Sequence, residues 1–267
     1  WIDIQGGKFW NYNPVTGDNT LLHQGYNVAG VTRNKGGGLT VGTWEGVQLW
    51  NSDNNFSWLH HGAVDGRPIK LNDISVGPDG SLYGGSGHLD SCTLFRFKPD
   101  GSAEIIDDGL DLCNGMGFSP DLTTFYSTDS PKHEIYKWDH NPTTGSITNK
   151  QVFTTIPDNW GIPDGMTVDA EGFVWSAIWY GGMVVRFDPD GKEERRVEIP
   201  AAQTSSAMFG GKELNELYVT TANFGTGDPE RTGWEPEGFD MNTYRGGDLY
   251  RVKLDIQGKP EFQAQFK

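Results

Sequence analysis

Two short apolar stretches of the chain each carry an oxygen-bearing side chain directly before a glycine. Residues 162–168 read Ile-Pro-Asp-Gly-Met-Thr-Val, and residues 112–118 read Leu-Cys-Asn-Gly-Met-Gly-Phe. Aligned on the glycine, Asp164 corresponds to Asn114. Carboxylate and amide oxygens are the ligands that hard divalent cations prefer. If these two side chains meet in space, they form the start of a metal site.

The elements that must bring them together belong to a repeat. A strand that ends in an aromatic or apolar residue before a turn occurs six times along the chain. Its last residues are Tyr12, Trp50, Phe97, Trp138, Phe187 and Val252. All steps but the last fit the roughly 40 to 50 residues of a four-stranded blade, a fixed period that the alternative, a β-sandwich, does not have. The sequence therefore predicts an all-β, six-bladed β-propeller with four-stranded antiparallel blades.

The repeat predicts a single propeller domain over residues 1–267. Residues 1–4 match the second strand of the other blades. The inner strand of the first blade is therefore expected to be missing from this chain, and the natural protein is expected to begin upstream of Trp1. The blades are expected near residues 1–25, 26–62, 69–109, 112–156, 162–200 and 204–267.

Composition agrees with this fold and narrows the partners. The 37 glycines, 14 prolines and 12% aromatic residues suit short strands joined by tight turns. A formal net charge of −15 disfavours nucleic acid as a partner. No stretch resembles a membrane span or a secretory leader, so we expect a soluble monomer or weak dimer, in the cytoplasm rather than the periplasm or outside the cell. Cys92 and Cys113 permit at most one disulfide and lack metal or redox spacing, which favours two buried thiols.

In a propeller the entrances of the inner strands surround one end of the central channel. Aligning the five inner strands places an equivalent residue of each at this mouth, and these residues are Ala29, Asn72, Asn114, Asp164 and Ser205. Any one Asn or Asp here is an ordinary turn residue. Three oxygen-bearing side chains on consecutive blades favour a metal site.

The loops between second and third strands must share this face. They offer Trp44, Trp179 and Tyr180 as aromatic walls, although such residues also pack blades together, and His88, Asp90 and Asp129 as a polar rim. The long segment 223–247 contains Trp234, Phe239 and Tyr244. Loops of this length are usually functional or disordered, and the aromatic residues here predict packing, as a lid over the mouth.

Seven motifs lie at residues 1–7, 71–80, 114–121, 128–130, 162–166, 204–211 and 247–252. Together they make the chain similar, over nearly its whole length, to the gluconolactonase, regucalcin and senescence-marker-protein family of six-bladed propellers. The resemblance implies one divalent cation in the channel and hydrolysis of lactones, commonly those of sugar acids. The cation is held in the family by a Glu, an Asn and an Asp.

The resemblance assigns the Asn to Asn114 and the Asp to Asp164, while the Glu belongs to the strand expected upstream. Replacement of that Glu by Glu45, Glu235 or Glu237 would require a loop to fold into the mouth. Substrate contacts in the family fall on Asn72 and on Lys70, which stands where relatives have Arg, and an acidic contact corresponds to Asp90. His88, Asp129 and Trp179 complete the expected substrate-binding set.

The expected chemistry is metal-assisted opening of a small-molecule sugar-acid lactone to the aldonic acid. Asp164 is expected to act both as ligand and as the base that accepts a proton from water. The oxygen ligands admit calcium, zinc, manganese, magnesium or ferrous iron. Two alternatives stay open, namely a propeller hydrolase of organophosphates or hydrophobic lactones, which ten tryptophans would suit, and a non-catalytic cation-binding propeller.

Overall fold

Short antiparallel strands make up nearly all regular structure. The computed structural model describes residues 1–87, 92–224 and 233–267. In these residues it contains 24 strands, numbered β1 to β24 along the chain, and one short 3-10 helix, Asp158–Trp160. No helix among them is long and apolar enough to cross a membrane. The chain divides into two compact units, Trp1–Cys113 with Glu261–Lys267, and Asn114–Pro260.

The first unit contains three meander sheets in which neighbouring strands are consecutive in sequence. The first sheet is β1 (Ile2–Asp3), β2 (Lys8–Tyr12) and β3 (Asn19–Gln24). The second is β4 (Val28–Arg33), β5 (Leu39–Thr43), β6 (Gly46–Ser52) and β7 (Asn55–His61). A small hairpin follows, β8 (Ala63–Val64) and β9 (Arg67–Pro68). The third sheet is β10 (Leu71–Val76), β11 (Leu82–Ser86), β12 (Cys92–Phe97) and β13 (Ala103–Leu110).

The second unit continues the same pattern through three more sheets. The fourth sheet is β14 (Cys113–Phe118), β15 (Thr124–Asp129), β16 (Glu134–His140) and β17 (Ile147–Thr155). The fifth is β18 (Ile162–Val168), β19 (Val174–Trp179), β20 (Met183–Phe187) and β21 (Glu193–Glu198). The sixth is β22 (Thr204–Gly210), β23 (Glu216–Thr221) and β24 (Leu249–Lys253).

Six successive meander sheets are the blades of a β-propeller, so the predicted six-bladed fold is confirmed. The sixth sheet differs from the expected four-stranded form, since the described residues give it three strands. After β24 the chain leaves that sheet instead of adding a fourth strand. Ala264 makes a parallel bridge with Asn34, and both Ala264 and Phe266 are buried in a core cluster of the first unit.

Inner strands in both units share a local irregularity at the aligned positions. The ladder of β4 skips Ala29, that of β10 skips Asn72, and that of β22 skips Ser205. In β18 the shift falls between Pro163 and Met166, at Asp164-Gly165. A β-bulge leaves its extra residue unpaired and redirects the side chain. Four of the positions aligned from sequence are therefore structurally equivalent.

Cys92 and Cys113 form a disulfide, so the prediction of two buried thiols is right about burial and wrong about the thiols. Their sequence separation of 21 hid their proximity. Because β13 runs antiparallel to β12, it returns the chain to the end of the sheet where Cys92 begins β12, and Leu110 pairs with Cys92 there. Cys113 follows directly, with its Cα atom 6.2 Å from that of Cys92.

A buried arginine in the second unit is held by acidic side chains. Asp169 is fully buried, and its Oδ2 accepts hydrogen bonds from Arg186 Nε at 2.8 Å and from Trp175 Nε1 at 2.9 Å. Glu171 and Glu194 pair with the terminal guanidinium nitrogens of Arg186. A buried ion pair is costly to break, because removing one partner leaves the other charge buried and uncompensated.

The first unit repeats this arrangement closer to solvent. Arg96 pairs with Asp79 at 2.6 Å and with Glu104 at 3.0 Å. In both units the first acid stands 17 residues before its arginine, at the same place in the blade repeat. The Asp79 side chain is 36% exposed, whereas that of Asp169 is buried completely. These ion pairs are part of the blade framework.

Candidate active site and metal centre

Glycine at position 115 lets β14 approach β18 closely. A Cβ atom at Gly115 would lie 2.6 Å from the carbonyl oxygen of Asp164 and 2.5 Å from the backbone nitrogen of Met166, distances that exclude any side chain. On the other side of β18, a Cβ atom at Gly165 would lie 2.5 Å from Ser206 Oγ on β22. The two glycines thus allow three inner strands to converge. Asn114 and Asp164 are brought next to each other by this packing.

Ser130 fixes the orientation of the Asn114 side chain. Its hydroxyl lies 2.6 Å from the carbonyl oxygen of Pro163 and 2.8 Å from Asn114 Nδ2. A carbonyl can only accept, so the single Ser130 proton is donated to Pro163, and the Asn114 atom that faces Ser130 must be the NH₂ donor. The amide oxygen of Asn114 is therefore on the side away from Ser130. The same two hydrogen bonds tie Asn114, which is 8% exposed, to the peptide that leads into Asp164.

Asp129 and Lys132 form an ion pair beside Ser130. Asp129 ends β15 and is completely buried, and its Oδ2 lies 3.0 Å from Lys132 Nζ. The Lys132 side chain is 36% exposed. The buried negative charge of Asp129 is thus compensated within its own turn, which places a charged pair next to the residue that orients Asn114.

The donor chemistry of Asn114 and Asp164 fits an oxygen-preferring divalent cation. Asn114 offers an amide oxygen of fixed orientation, and Asp164 offers a half-buried carboxylate at a bulge. In residues 1–87, 92–224 and 233–267, no group of three or more His, Cys, Asp or Glu side chains is arranged to hold a metal. The Asn114 amide is not one of those four residue types. A site built from Asn114 and Asp164 therefore contains only one side chain of the types in question.

The predicted substrate residues of the first unit lie at the start of β10. Asn72 is the bulged residue, and its Nδ2 donates to the carbonyl oxygen of Cys113 at 3.2 Å. Lys70 extends over the indole of Trp44, with Nζ 5.1 Å from the ring centroid. A cation over an aromatic face is attracted electrostatically. This contact pairs two side chains that the sequence assigned separately to substrate binding and to an aromatic wall.

Burial of Asp73, the neighbour of Asn72, predicts a pH-dependent stability. Burial raises the pKa of the Asp73 carboxyl from 3.8 to about 7, although a hydrogen bond from the Ile74 N–H offsets part of the rise. The unfolded chain therefore loses this proton at lower pH than the folded protein, and stability falls as pH rises from about 4 to 7.

Asp73→Asn should remove this effect. The melting temperature of the variant minus that of the wild type is expected to grow between pH 4 and pH 7 and to level off above it, as differential scanning fluorimetry would measure. The same substitution at Asp190, an exposed turn residue, is the control. A difference that stays constant with pH would contradict the burial argument.

Trp179 ends β19 in the second unit, and Tyr180 follows it in the turn to β20. The Trp179 indole N–H is buried and has no hydrogen-bond partner among residues 1–87, 92–224 and 233–267. Tyr180 adopts a left-handed backbone, with φ of 66°, and is 4% exposed. Its hydroxyl donates to Glu235 Oε1 at 3.0 Å, and its ring meets Phe239 edge to face at 4.9 Å. The described part of the long segment therefore packs against the β19–β20 turn.

The polar rim and the alternative glutamate ligands expected from the sequence can be placed only in part. His88 and Asp90 lie outside the described residues. Glu45 is exposed, with its carboxylate 3.8 Å from His61, and Glu235 contacts Tyr180. Ser130 is not among the site residues predicted from the sequence, although it lies in a loop expected at the mouth. No residue pattern marks the hydrogen bonds that its hydroxyl makes.

The six meander sheets and the oxygen donors on their inner strands define a β-propeller with a candidate cation site. The family model described as SMP-30/Gluconolactonase/LRE-like region matches residues 1–223. Pentonolactonase XacC of Haloferax volcanii is 34% identical over 271 residues, which cover 100% of this chain and 90% of that protein. The chain belongs to the SMP-30/gluconolactonase/LRE-like family, which confirms the resemblance seen in its motifs.

Two further proteins show the extent of the similarity. Regucalcin of Oryctolagus cuniculus is 31% identical over 274 residues, covering 98% of this chain and 89% of that protein. The crystal structure of a calcium-binding protein, regucalcin, from Agrobacterium tumefaciens matches with a TM-score of 0.84 at 22% identity, over 99% of this chain and 88% of that one. The structural match supports the six-bladed fold.

Proposed function

We propose that the protein is a divalent-cation-dependent lactonase that opens a sugar-acid lactone to the aldonic acid. The observation that carries this proposal is the fixed amide of Asn114, held by Ser130 beside Asp164. Membership of a family named in part for gluconolactonase, and 34% identity to a pentonolactonase, support the lactone as substrate. The metal is calcium, zinc, manganese, magnesium or ferrous iron.

In this proposal the chain supplies ligands, a base and orienting groups. Asn114 Oδ1 and the Asp164 carboxylate would hold the cation, which would polarise the lactone carbonyl when bound. Asp164 accepts a proton from water as the water oxygen bonds to the carbonyl carbon. The bond between that carbon and the ring oxygen then breaks, and Asp164 returns the proton to the ring oxygen, which becomes a hydroxyl. Asn72, Lys70, Asp129 and Trp179 are assigned to positioning the substrate.

The proposal is tested by pH-monitored opening of a panel of sugar-acid lactones. The panel includes a hydrophobic lactone and an organophosphate ester, which represent the alternative hydrolase. We expect at least one sugar lactone to be opened well above the rate in buffer alone. A chelator should abolish this activity, and one of the five metals should restore it. Cation binding without opening of any ester would show a non-catalytic propeller instead.

Ser130 offers a separate test of how Asn114 is held. Ser130→Ala removes the hydroxyl that fixes the amide, so the oxygen loses its set orientation. Residues that orient a metal ligand typically contribute 10- to 100-fold to affinity, and a loss of about that size is expected in calorimetric titration with Mn²⁺. Ser119→Ala is the control, because it alters the turn after β14, the strand that carries Asn114, and the Ser119 hydroxyl bonds to Asp121 instead. Unchanged Mn²⁺ affinity in Ser130→Ala would show that the amide plays no part in binding.

A further inference from the structure

A groove in the second unit lies outside the residues assigned to the reaction. Its volume is about 770 Å³, within the usual range of roughly 300–1,000 Å³ for small-molecule sites. This is far more space than a single sugar-lactone ring fills. The principal side chains around it are Trp160, Tyr180, Ile199, Phe239, Tyr244 and Arg196.

The backbone beneath the groove is firmly hydrogen-bonded. Gly182 donates to the Ala202 carbonyl at 3.1 Å and accepts from the Ile199 N–H at 2.8 Å. Ala202 in turn donates to the carbonyl of Tyr244 at 2.9 Å, which anchors this end of the long segment. The groove is thus preformed by turns from separate parts of the chain.

Close backbone packing holds the aromatic walls together. A Cβ atom at Gly161 would lie 2.1 Å from the carbonyl oxygen of Trp179, so only glycine allows the Trp160–Gly161 peptide to approach the β19–β20 turn. Trp160 and Tyr180 are thereby fixed on neighbouring backbones. Tyr180 keeps its left-handed φ of 66° here, a conformation that is costly for a tyrosine and is often found at ligand sites.

The chemistry of the lining favours a neutral, amphiphilic ligand. Trp160, Phe239 and Tyr244 offer aromatic surface that packs against the C–H face of a sugar ring. Arg196 lies over Trp160, 4.5 Å from the ring centroid, and its charge is matched by two 2.8 Å hydrogen bonds to Glu193. Glu198 adds an acceptor at the rim. An anion would meet these carboxylates, and a purely apolar ligand would leave the polar edge unused.

One pair of strands, β18 and β19, connects the groove with the candidate active site. Trp179 pairs with Ile162 in the β18–β19 ladder, and Asp164 follows two residues along β18. Strand geometry puts the Cα atoms of Trp179 and Asp164 roughly 8 Å apart. Tyr180, the wall of the groove, is the next residue. The groove wall at Tyr180 is therefore within roughly the length of a disaccharide of Asp164 along this strand pair.

We infer that this groove is a subsite for a second sugar ring, so that the substrate class is the lactone of a disaccharide acid. The inference rests on the proposed lactonase function and names the substrate class of that same site. The lactone ring binds at Asn114 and Asp164, and the glycosidically linked ring lies between Trp160 and Tyr244.

The test compares a monosaccharide lactone with the lactone of a disaccharide acid that ends in the same sugar acid. The full chain is expected to show a KM about tenfold lower for the disaccharide lactone, as one or two aromatic contacts would provide. Trp160→Ala should remove this advantage and leave the monosaccharide KM within about twofold. Tyr244→Ala, at a side chain 54% exposed, should act in the same direction with little risk to folding.

Trp58→Ala is the matched control, because Trp58 is 38% exposed on β7 of the first unit and lies outside the groove.

A binding measurement separates the two proposals. Calorimetry with the reduced disaccharide, which has no lactone to open, should give saturable binding that Trp160→Ala abolishes. Equal KM values for both lactones, equal effects of Trp160→Ala on both, or no binding of the reduced disaccharide would overturn the subsite. If no lactone is opened but the reduced disaccharide binds through Trp160, the lactonase proposal fails and sugar binding stands.

Discussion

Replacing Asp164 by alanine is expected to lower kcat/KM for lactone opening by roughly 10³-fold, because one substitution removes both a metal ligand and the base. The fold should survive, since Asp164 is a half-buried bulge residue whose ladder neighbours Pro163 and Met166 keep their partners. Stopped-flow or pH-stat kinetics measure the rate, and thermal unfolding measures stability on the same preparations.

Asp190→Ala is a sequence-matched control for this variant. It changes the acid of a second Pro-Asp-Gly triplet, at residues 189–191, which forms an exposed turn after β20. Kinetic constants within about twofold of the wild type are expected there, because surface changes away from a site have small effects. Full metal-dependent activity in Asp164→Ala would show that ligand and base have been assigned to the wrong residue.

Asp169→Ala is expected to lower the free energy of unfolding by about 3–5 kcal/mol, because it leaves the Arg186 guanidinium buried without its central partner. The indole N–H of Trp175 and two backbone N–H groups, those of Glu171 and Phe173, lose their acceptor as well. For a chain of this size the loss corresponds to a melting temperature lower by roughly 10 °C. Thermal or urea unfolding followed by circular dichroism measures it.

Asp79→Ala provides the comparison within the same protein. It removes the equivalent acid of the first unit, but Asp79 is 36% exposed and solvent can hydrate what remains. Its effect on stability should be clearly smaller than that of Asp169→Ala. Equal losses for the two variants would mean that the burial of Asp169 does not determine the cost.

The fold was predictable because propeller blades repeat in sequence. The strand endings from Tyr12 to Phe187 recur at blade spacing, and the inner-strand alignment placed Ala29, Asn72 and Ser205 at positions that carry bulges. Both signals are local and add up along the chain. Three strands in the sixth sheet were not predicted, because the pairing of Ala264 with Asn34 depends on a contact between distant parts of the sequence.

The site was predictable only in part, because several of its contacts join residues that are distant in the sequence. Residue type and spacing single out Asn114 and Asp164, but the hydrogen bonds through Ser130 that orient the amide have no sequence signature. The Cys92–Cys113 disulfide and the cation–π contact of Lys70 with Trp44 likewise depend on three-dimensional proximity. The groove at Trp160 was not foreseen, since its walls come from separate segments.

The most direct test of the central claim is the anomalous diffraction of a crystal of the full chain grown with Mn²⁺. We expect one strong peak within roughly 2.0–2.6 Å of Asn114 Oδ1 and of an Asp164 carboxylate oxygen. These are the distances at which divalent cations bind oxygen ligands. The same crystal form of Asp164→Ala should lose the peak. A peak bound elsewhere, or an Asn114 amide oxygen that contacts no ion in a crystal where Mn²⁺ is otherwise bound, would contradict it.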